Sequence, residues 1–341
     1  MPLQPVPEVD EILSTAEAVA LPMRTRFRGQ TVREAVIFQG PAGWAEFAPF
    51  SEYGPDESAQ WLASGIQAAF QGLGAPLRTA VPVNATIPAV SPSRVEAVLA
   101  RYGEAVPAVK IKVAEPGQSR QDDVDRVAEV RRLLPRAALR VDANGGWSIP
   151  EAVAALGDIT QAAGGLEYAE QPVAGVEPLA RLREQLATAG LEVPIAADEA
   201  VRKAEDPLRV AQLGAANLIV VKAPPLGGVD RALDLVRQAG LPAVVSSALD
   251  TSVGLTAGLA LAARLPQLPF ACGLGTVTLF DGELVDEPLV PVSGTLDVPT
   301  QSGQICAPAP VPELMQRHRI TGPRRRWWFD RVRAAHQVLA S

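Results

Sequence analysis

From residue 82 onward, short apolar runs alternate with amphipathic stretches, and the two periods predict alternating strands and helices. Eight runs have strand character: "VPVNATI", "AVKIKV", "ALRVDAN", "GLEYAEQ", "VPIAADE", "NLIVVKAP", "PAVVSSA" and "FACGLGT". Between them, "RQDDVDRVAEVRRLL", "PEAVAALGDI", "PLARLREQLATAG", "PLRVAQLG" and "VDRALDLVRQAG" place apolar residues at the three and four spacing of a helix face. Eight parallel strands with intervening helices read as an α/β fold of the (β/α) barrel type, although the last strand is followed by a segment of another kind. An open doubly wound sheet would call for a Gly-rich phosphate turn after an early strand, and none is present.

The two flanks break this rhythm. Residues 1–81 carry shorter alternating segments, "TRFRGQTVREAVIFQG" and "GWAEFAPF", and one clear helix, "ESAQWLASGIQAAF", an α+β pattern that predicts a separate lobe. Residues 82–285 are assigned to the barrel. Residues 286–341, rich in Pro and Gly at first, predict a C-terminal segment folded back on that lobe. Within it "RRRWW" (324–328) is a basic and aromatic knot best read as packing.

Composition narrows the function classes. The chain has 341 residues, 48% of them hydrophobic and 20% charged, enough to bury a large core. A formal charge of -7 gives no electrostatic footprint for nucleic acid, so the expected partner is a small-molecule substrate. The two cysteines, Cys272 and Cys306, exclude a disulfide framework or zinc ribbon. "MPLQPVPEVDEIL" lacks the pattern of a signal peptide, and "SVGLTAGLALAARLP" is too short to span a bilayer, so no membrane partner and a cytoplasmic location are expected. The oligomeric state is not legible.

Reactive groups on a barrel come from the C-terminal ends of strands. The polar residues that finish the apolar runs are Lys110 and Lys112, Asp142 with Asn144, Glu170, Asp198 with Glu199, Lys222, and Ser246 with Ser247. Asp142, Glu170 and Asp198 recur 28 residues apart, about one βα unit. Converging carboxylates repel unless a cation sits among them, and an all-oxygen set suits a hard divalent ion such as Mg²⁺, with Mn²⁺ as a substitute. The plainer alternative is that each acid forms its own salt bridge or caps the next helix. Lys110 and Lys112 pose a further question, because alternation along a strand puts both ammonium groups on one side. Lys112 and Lys222 are expected to face each other across the site, where neighbouring cations would lower a lysine pKa and make it a base. The two histidines, His318 and His336, lie in the tail, which leaves lysine for that role. Such a set suits proton abstraction next to a carboxylate.

At these residues the chain resembles the enolase superfamily, muconate-lactonizing subgroup, through "KIK", "VDAN", "AEQP", "ADE" and "VVKAPPLGG" in order and spacing over nearly its whole length. The resemblance implies a modified (β/α)7β TIM-type barrel with an α+β capping domain. It implies that Asp142, Glu170 and Asp198 are Mg²⁺ ligands, Lys112 the acid/base and Lys222 its partner on the other face. Lys110 and Asn144 would support the site, with Glu199 behind the metal ligands. Within the subgroup, "GWAEFAPFSEYGPDESAQWL" and "VVSSALDTSVGL" are most similar to a dehydratase that works through an enediolate. The alternatives are a racemase or epimerase on the same scaffold and, more remotely, a non-catalytic barrel. An epimerase is disfavoured because the last strand reads "CGLGT", without a paired Asp-x-Asp motif. Some members carry an arginine directly after "DAN", where this chain has Gly145 and Gly146. The groups that meet a substrate carboxylate must therefore come from elsewhere: Ser246, Ser247, the backbone near Gly273, or Arg24, Arg26 and Arg28.

Overall fold

A computed structural model describes residues 6–27, 29–202 and 207–341. The N-terminal alternation builds an antiparallel sheet of β1 (Glu17–Phe27), β2 (Gln30–Gly40) and β3 (Gly43–Phe47), in the order β1-β2-β3. The register slips between Pro22 and Phe27, because proline has no N–H to give to the ladder. The helix Pro55–Ile66 follows, opened by proline at its first position.

The 19-residue helix Gly322–Ala340 packs along Pro55–Ile66. Trp328 meets the Phe47 ring edge-on at 6.1 Å and donates from Nε1 to Glu34 Oε2 at 2.8 Å. Arg331 donates to the carbonyls of Phe50 and Tyr53 and to Ser58 Oγ. The "RRRWW" knot is thus part of the seam between the tail helix and the N-terminal lobe.

The "VPVNATI" run does not form one strand. It breaks at Val83–Asn84 into β4 (Ala80–Pro82), which pairs antiparallel with the late segment Thr295–Asp297, and β5 (Ala85–Ile87), which enters the large sheet. Six more parallel strands follow in chain order: β6 (Ala108–Lys112), β7 (Ala138–Asp142), β8 (Tyr168–Glu170), β9 (Ile195–Ala197), β10 (Leu218–Val221) and β11 (Ala243–Val245). All are buried on both faces, which is why they read as continuous apolar runs. The interior is filled by Tyr168, Ala196, Leu218, Val220 and Val244, with Arg140 stacked 4.8 Å over the Tyr168 ring.

The helices between strands start where the sequence supplies caps. Ser119 with Asp122, and Ser148 with Glu151, form reciprocal capping boxes for Arg120–Leu133 and Ile149–Ala163. "PLRVAQLG" gives only the single turn Arg209–Gln212, shorter than its periodicity suggests. "FACGLGT" is not a regular eighth strand either. Cys272 bridges Val83 and Gly273 bridges Ser246, so two residues close the sheet between β11 and β5. A Cβ on Gly273 would stand 2.6 Å from Ser246 Oγ, so the glycine leaves room for the Ser246 side chain.

Candidate active site

The strand ends β6 to β10 bring the predicted lysines and acids to one rim. Adjacent registers align Lys112 with Asp142 and Asp142 with Glu170. Lys110 Nζ lies 3.1 and 3.0 Å from the two Glu170 carboxylate oxygens and 3.3 Å from Asp142 Oδ2. Lys112 Nζ donates to Asp142 Oδ2 at 2.6 Å and to Asn144 Oδ1. At the other end of the series, Lys222 Nζ donates to Asp198 Oδ2 at 2.6 Å. The K-x-K pair therefore faces a shared carboxylate, and the two outer lysines flank three buried acids.

At Lys110 the neighbouring acids, and not the neighbouring cations, set the balance. Burial alone would lower Lys110, but the charges of Glu170 and Asp142 outweigh it and raise its pKa above the ordinary lysine value. Burial raises Asp142, yet Lys112 and Lys110 hold it well below the carboxylate range. Asp198 is likewise pushed up by burial and pulled down further by Lys222 and Arg202, to about 2. Glu170 rises to about 7, through burial and then the neighbouring Asp142 charge, against the pull of Lys110. Glu170 and Asp142 both contact Lys110 Nζ, which places the two carboxylates within one another's field.

Supporting groups lock this rim. Asn144 sits at φ +48°, donates from Nδ2 to Glu199 Oε1 at 3.2 Å and orients Asp142 through its backbone N–H. Arg202, which the sequence reading passed over, donates to Asp198 Oδ1 at 3.2 Å, Glu199 Oε1 at 2.6 Å and Tyr53 Oη at 3.2 Å. Its place four residues after Asp198, one helical turn away, was the signal available in the sequence. Gln171 was also missed; its Oε1 accepts the backbone N–H groups of Asp198 and Ala200, each at 3.0 Å.

The cleft above is lined by these charges on one side and by Phe27, Phe50 and Trp61 on the other. Lys112 Nζ stands 5.4 Å from the Phe27 ring centroid. Ser246, Ser247 and Gly273 all line the cleft, and Ser247 Oγ lies 2.7 Å from Thr276 Oγ1. Arg24 and Arg26 of the N-terminal stretch do not. Arg26 is exposed in an adjoining groove that shares Phe27, Lys112 and Asn144 with the cleft. Arg24 donates to the Phe280 carbonyl at 2.7 Å. Arg28 lies outside the described residues.

Among the described residues, no three His, Cys, Asp or Glu side chains form a ready cation cage, because ammonium groups stand at the carboxylates. The donor chemistry nevertheless fits a hard divalent ion: oxygen only, from three successive strand ends, with Asp142 and Asp198 each raising Glu170. No described helix is long and apolar enough to cross a membrane.

Comparison with known proteins agrees with this architecture. Residues 93–304 match the family model described as enolase C-terminal domain-like, and residues 18–69 the enolase N-terminal domain-like model. The chain is 54% identical over 335 residues to an o-succinylbenzoate synthase of Mycolicibacterium smegmatis, covering 98% of this chain and 99% of that protein. It is 51% identical over 330 residues to the protein of that name from Mycobacterium ulcerans, covering 96% and 95%. Its fold is similar to 2-chloromuconate cycloisomerase from Rhodococcus opacus, with a TM-score of 0.75 at 22% identity over 90% of this chain and 98% of that one. It is also similar to an N-succinyl Arg/Lys racemase from Bacillus cereus, with a TM-score of 0.73 at 18% identity over 90% and 97%.

Proposed function

This chain belongs to the enolase superfamily, and on that premise we propose that it is an o-succinylbenzoate synthase acting in menaquinone biosynthesis in the cytoplasm. It would dehydrate 2-succinyl-6-hydroxy-2,4-cyclohexadiene-1-carboxylate to 2-succinylbenzoate. The observation that carries the reading is the placement of Lys112 and Lys222 at either end of one series of buried acids, beside an aromatic wall. Near-full-length identity of 54% to a synthase favours dehydration over racemisation, for which two flanking lysines would also serve.

Asp142, Glu170 and Asp198 would hold a Mg²⁺ ion, which when bound supplies positive charge to the substrate carboxylate. Around them Glu199 brings the acids to four, offset by Lys110, Lys112, Lys222 and Arg202. With Lys112 as the free amine, a divalent ion leaves this set with one excess positive charge, which suits an anionic substrate.

Lys112 enters the cycle as the free amine. It takes the proton from the ring carbon that bears the carboxylate, and the electron pair of that bond moves toward the carboxylate. The resulting Lys112 ammonium returns the same proton to the hydroxyl on the same ring face, which leaves as water while the ring becomes aromatic. Lys222 stays cationic on the opposite side and meets the negative charge as it develops. Phe27, Phe50 and Trp61 cover the apolar ring and exclude water. Ser246, Ser247 and Gly273 provide hydrogen-bonding groups for the succinyl end.

Incubating the purified chain with this substrate and Mg²⁺ should deplete the diene absorbance, and a chelator should stop the reaction. If the diene persists while N-succinylamino acids lose optical rotation, the racemase reading replaces this one.

A further inference from the structure

One guanidinium joins the lobe that covers the cleft to the charged rim below it. The Arg202 side chain is 4% exposed and uses three nitrogens on three acceptors: Nε on Asp198 Oδ1 at 3.2 Å, Nη2 on Glu199 Oε1 at 2.6 Å and Nη1 on Tyr53 Oη at 3.2 Å. Two of these acceptors lead on to the reactive lysines. Asp198 gives its other oxygen, Oδ2, to Lys222 Nζ at 2.6 Å. Glu199 Oε1 also accepts from Asn144 Nδ2 at 3.2 Å, and Asn144 Oδ1 accepts from Lys112. Among the described residues the buried Glu199 Oε2 has no hydrogen-bond partner, so this acid is held through Oε1.

The third acceptor belongs to the lobe. Tyr53 is buried in the stretch between β3 and the helix Pro55–Ile66, its ring edge-on to Phe50 at 5.6 Å and tilted against Trp61 at 6.3 Å. Phe50 and Trp61 line the cleft, and Tyr53 backs them. From the tail helix, Arg331 donates to the Phe50 and Tyr53 carbonyls at 3.0 and 2.9 Å and fixes the backbone here. The Tyr53 hydroxyl is therefore placed by the lobe and the tail, the Asp198 carboxyl by the barrel, and a planar, rigid fork spans the two.

We propose that Arg202 is a positioning residue that ties the aromatic wall to the divalent-ion site, so that the Tyr53 hydroxyl strengthens metal binding without touching metal or substrate. The inference rests on the reading of Asp198 as a ligand of that ion. A side chain that holds a ligating carboxylate sets its orientation, and an acceptor that holds that side chain acts one bond further out. Loss of the Tyr53 oxygen takes away the acceptor of Nη1. The guanidinium then settles onto the two acids and draws lone pairs from Asp198 that an ion would use.

The test is Mn²⁺ binding to the full chain without substrate, read from the electron paramagnetic resonance signal of the free ion, for wild type, Tyr53→Phe, Arg202→Lys and the double variant. Wild type should bind an ion that Asp142→Asn loses. Tyr53→Phe keeps the ring packing and should weaken binding at least about fivefold. Arg202→Lys keeps the charge without the fork and should weaken it about 10–100-fold. Because Tyr53 acts through Arg202, adding Tyr53→Phe to Arg202→Lys should change the affinity by no more than about twofold. Wild-type affinity in a folded Tyr53→Phe protein, or a full second loss in the double variant, would overturn the coupling and leave the ion site standing. A wild type that binds no such ion would overturn both. If Arg202→Lys does not fold, Tyr53→Phe alone decides.

Discussion

Lys110 is 6% exposed and holds two acids, and its role differs from that of Lys112 two residues on. Lys112 sits at the open edge of the cleft with an aromatic ring beside it, where a substrate proton can reach it. Lys110 neutralises Glu170 and Asp142 from below. Lys110→Met removes one partner of a buried ion set and leaves the acids to repel. It should destabilise the fold by about 3–5 kcal/mol, read as a lower urea midpoint. An unchanged midpoint would mean that the acids find other counter-charges. At this scale the 28-residue recurrence of Asp142, Glu170 and Asp198 was legible because each is fixed by a strand end. The choice of partners was not. Which lysine meets which acid depends on register between strands, and Arg202 reaches Tyr53 from across the lobe boundary.

At the scale of elements, continuous apolar runs and the three and four spacing marked most of the central strands and helices, because local rules and the buried sheet agree there. The misreadings fall where closure overrides local pattern. "VPVNATI" has the composition of one strand, yet its first half is taken by Thr295–Asp297 and its second by β6. "FACGLGT" closes the barrel with two bridged residues, and its glycine leaves room for the Ser246 side chain. The stretch that forms the helix Ser252–Arg264 was weighed in the sequence only as too short for a membrane span. Its Gly254 is the bed on which the Glu46 carboxyl rests. Gly254→Ala would ordinarily favour a helix by about 1 kcal/mol. Here the added methyl meets Glu46, so the melting temperature should fall, and a rise would show that this contact yields freely.

For the molecule as a whole, the candidate site is a joint product of two lobes. The barrel supplies lysines and acids from successive strand ends, while β1 and the segment around Pro55–Ile66 supply Phe27, Phe50 and Trp61. The sequence suggested a barrel, a flanking lobe and a tail folded back on it, but neither the tail helix Gly322–Ala340 nor the seam that fastens lobe to barrel, because contacts such as Arg33 to Leu249 join residues far apart in the chain. The same two-lobed arrangement gives the cleft an apolar wall on one side and charge on the other.

The most direct test compares wild type with Lys112→Ala at saturating 2-succinyl-6-hydroxy-2,4-cyclohexadiene-1-carboxylate and Mg²⁺, following loss of the diene absorbance. Lys110 remains to neutralise Asp142, so the variant should stay folded. Its rate should drop by about 10²–10⁴-fold, the range of a removed general acid/base. A folded Lys112→Ala protein that keeps its rate within a few-fold of wild type would contradict the assignment of Lys112 as the base.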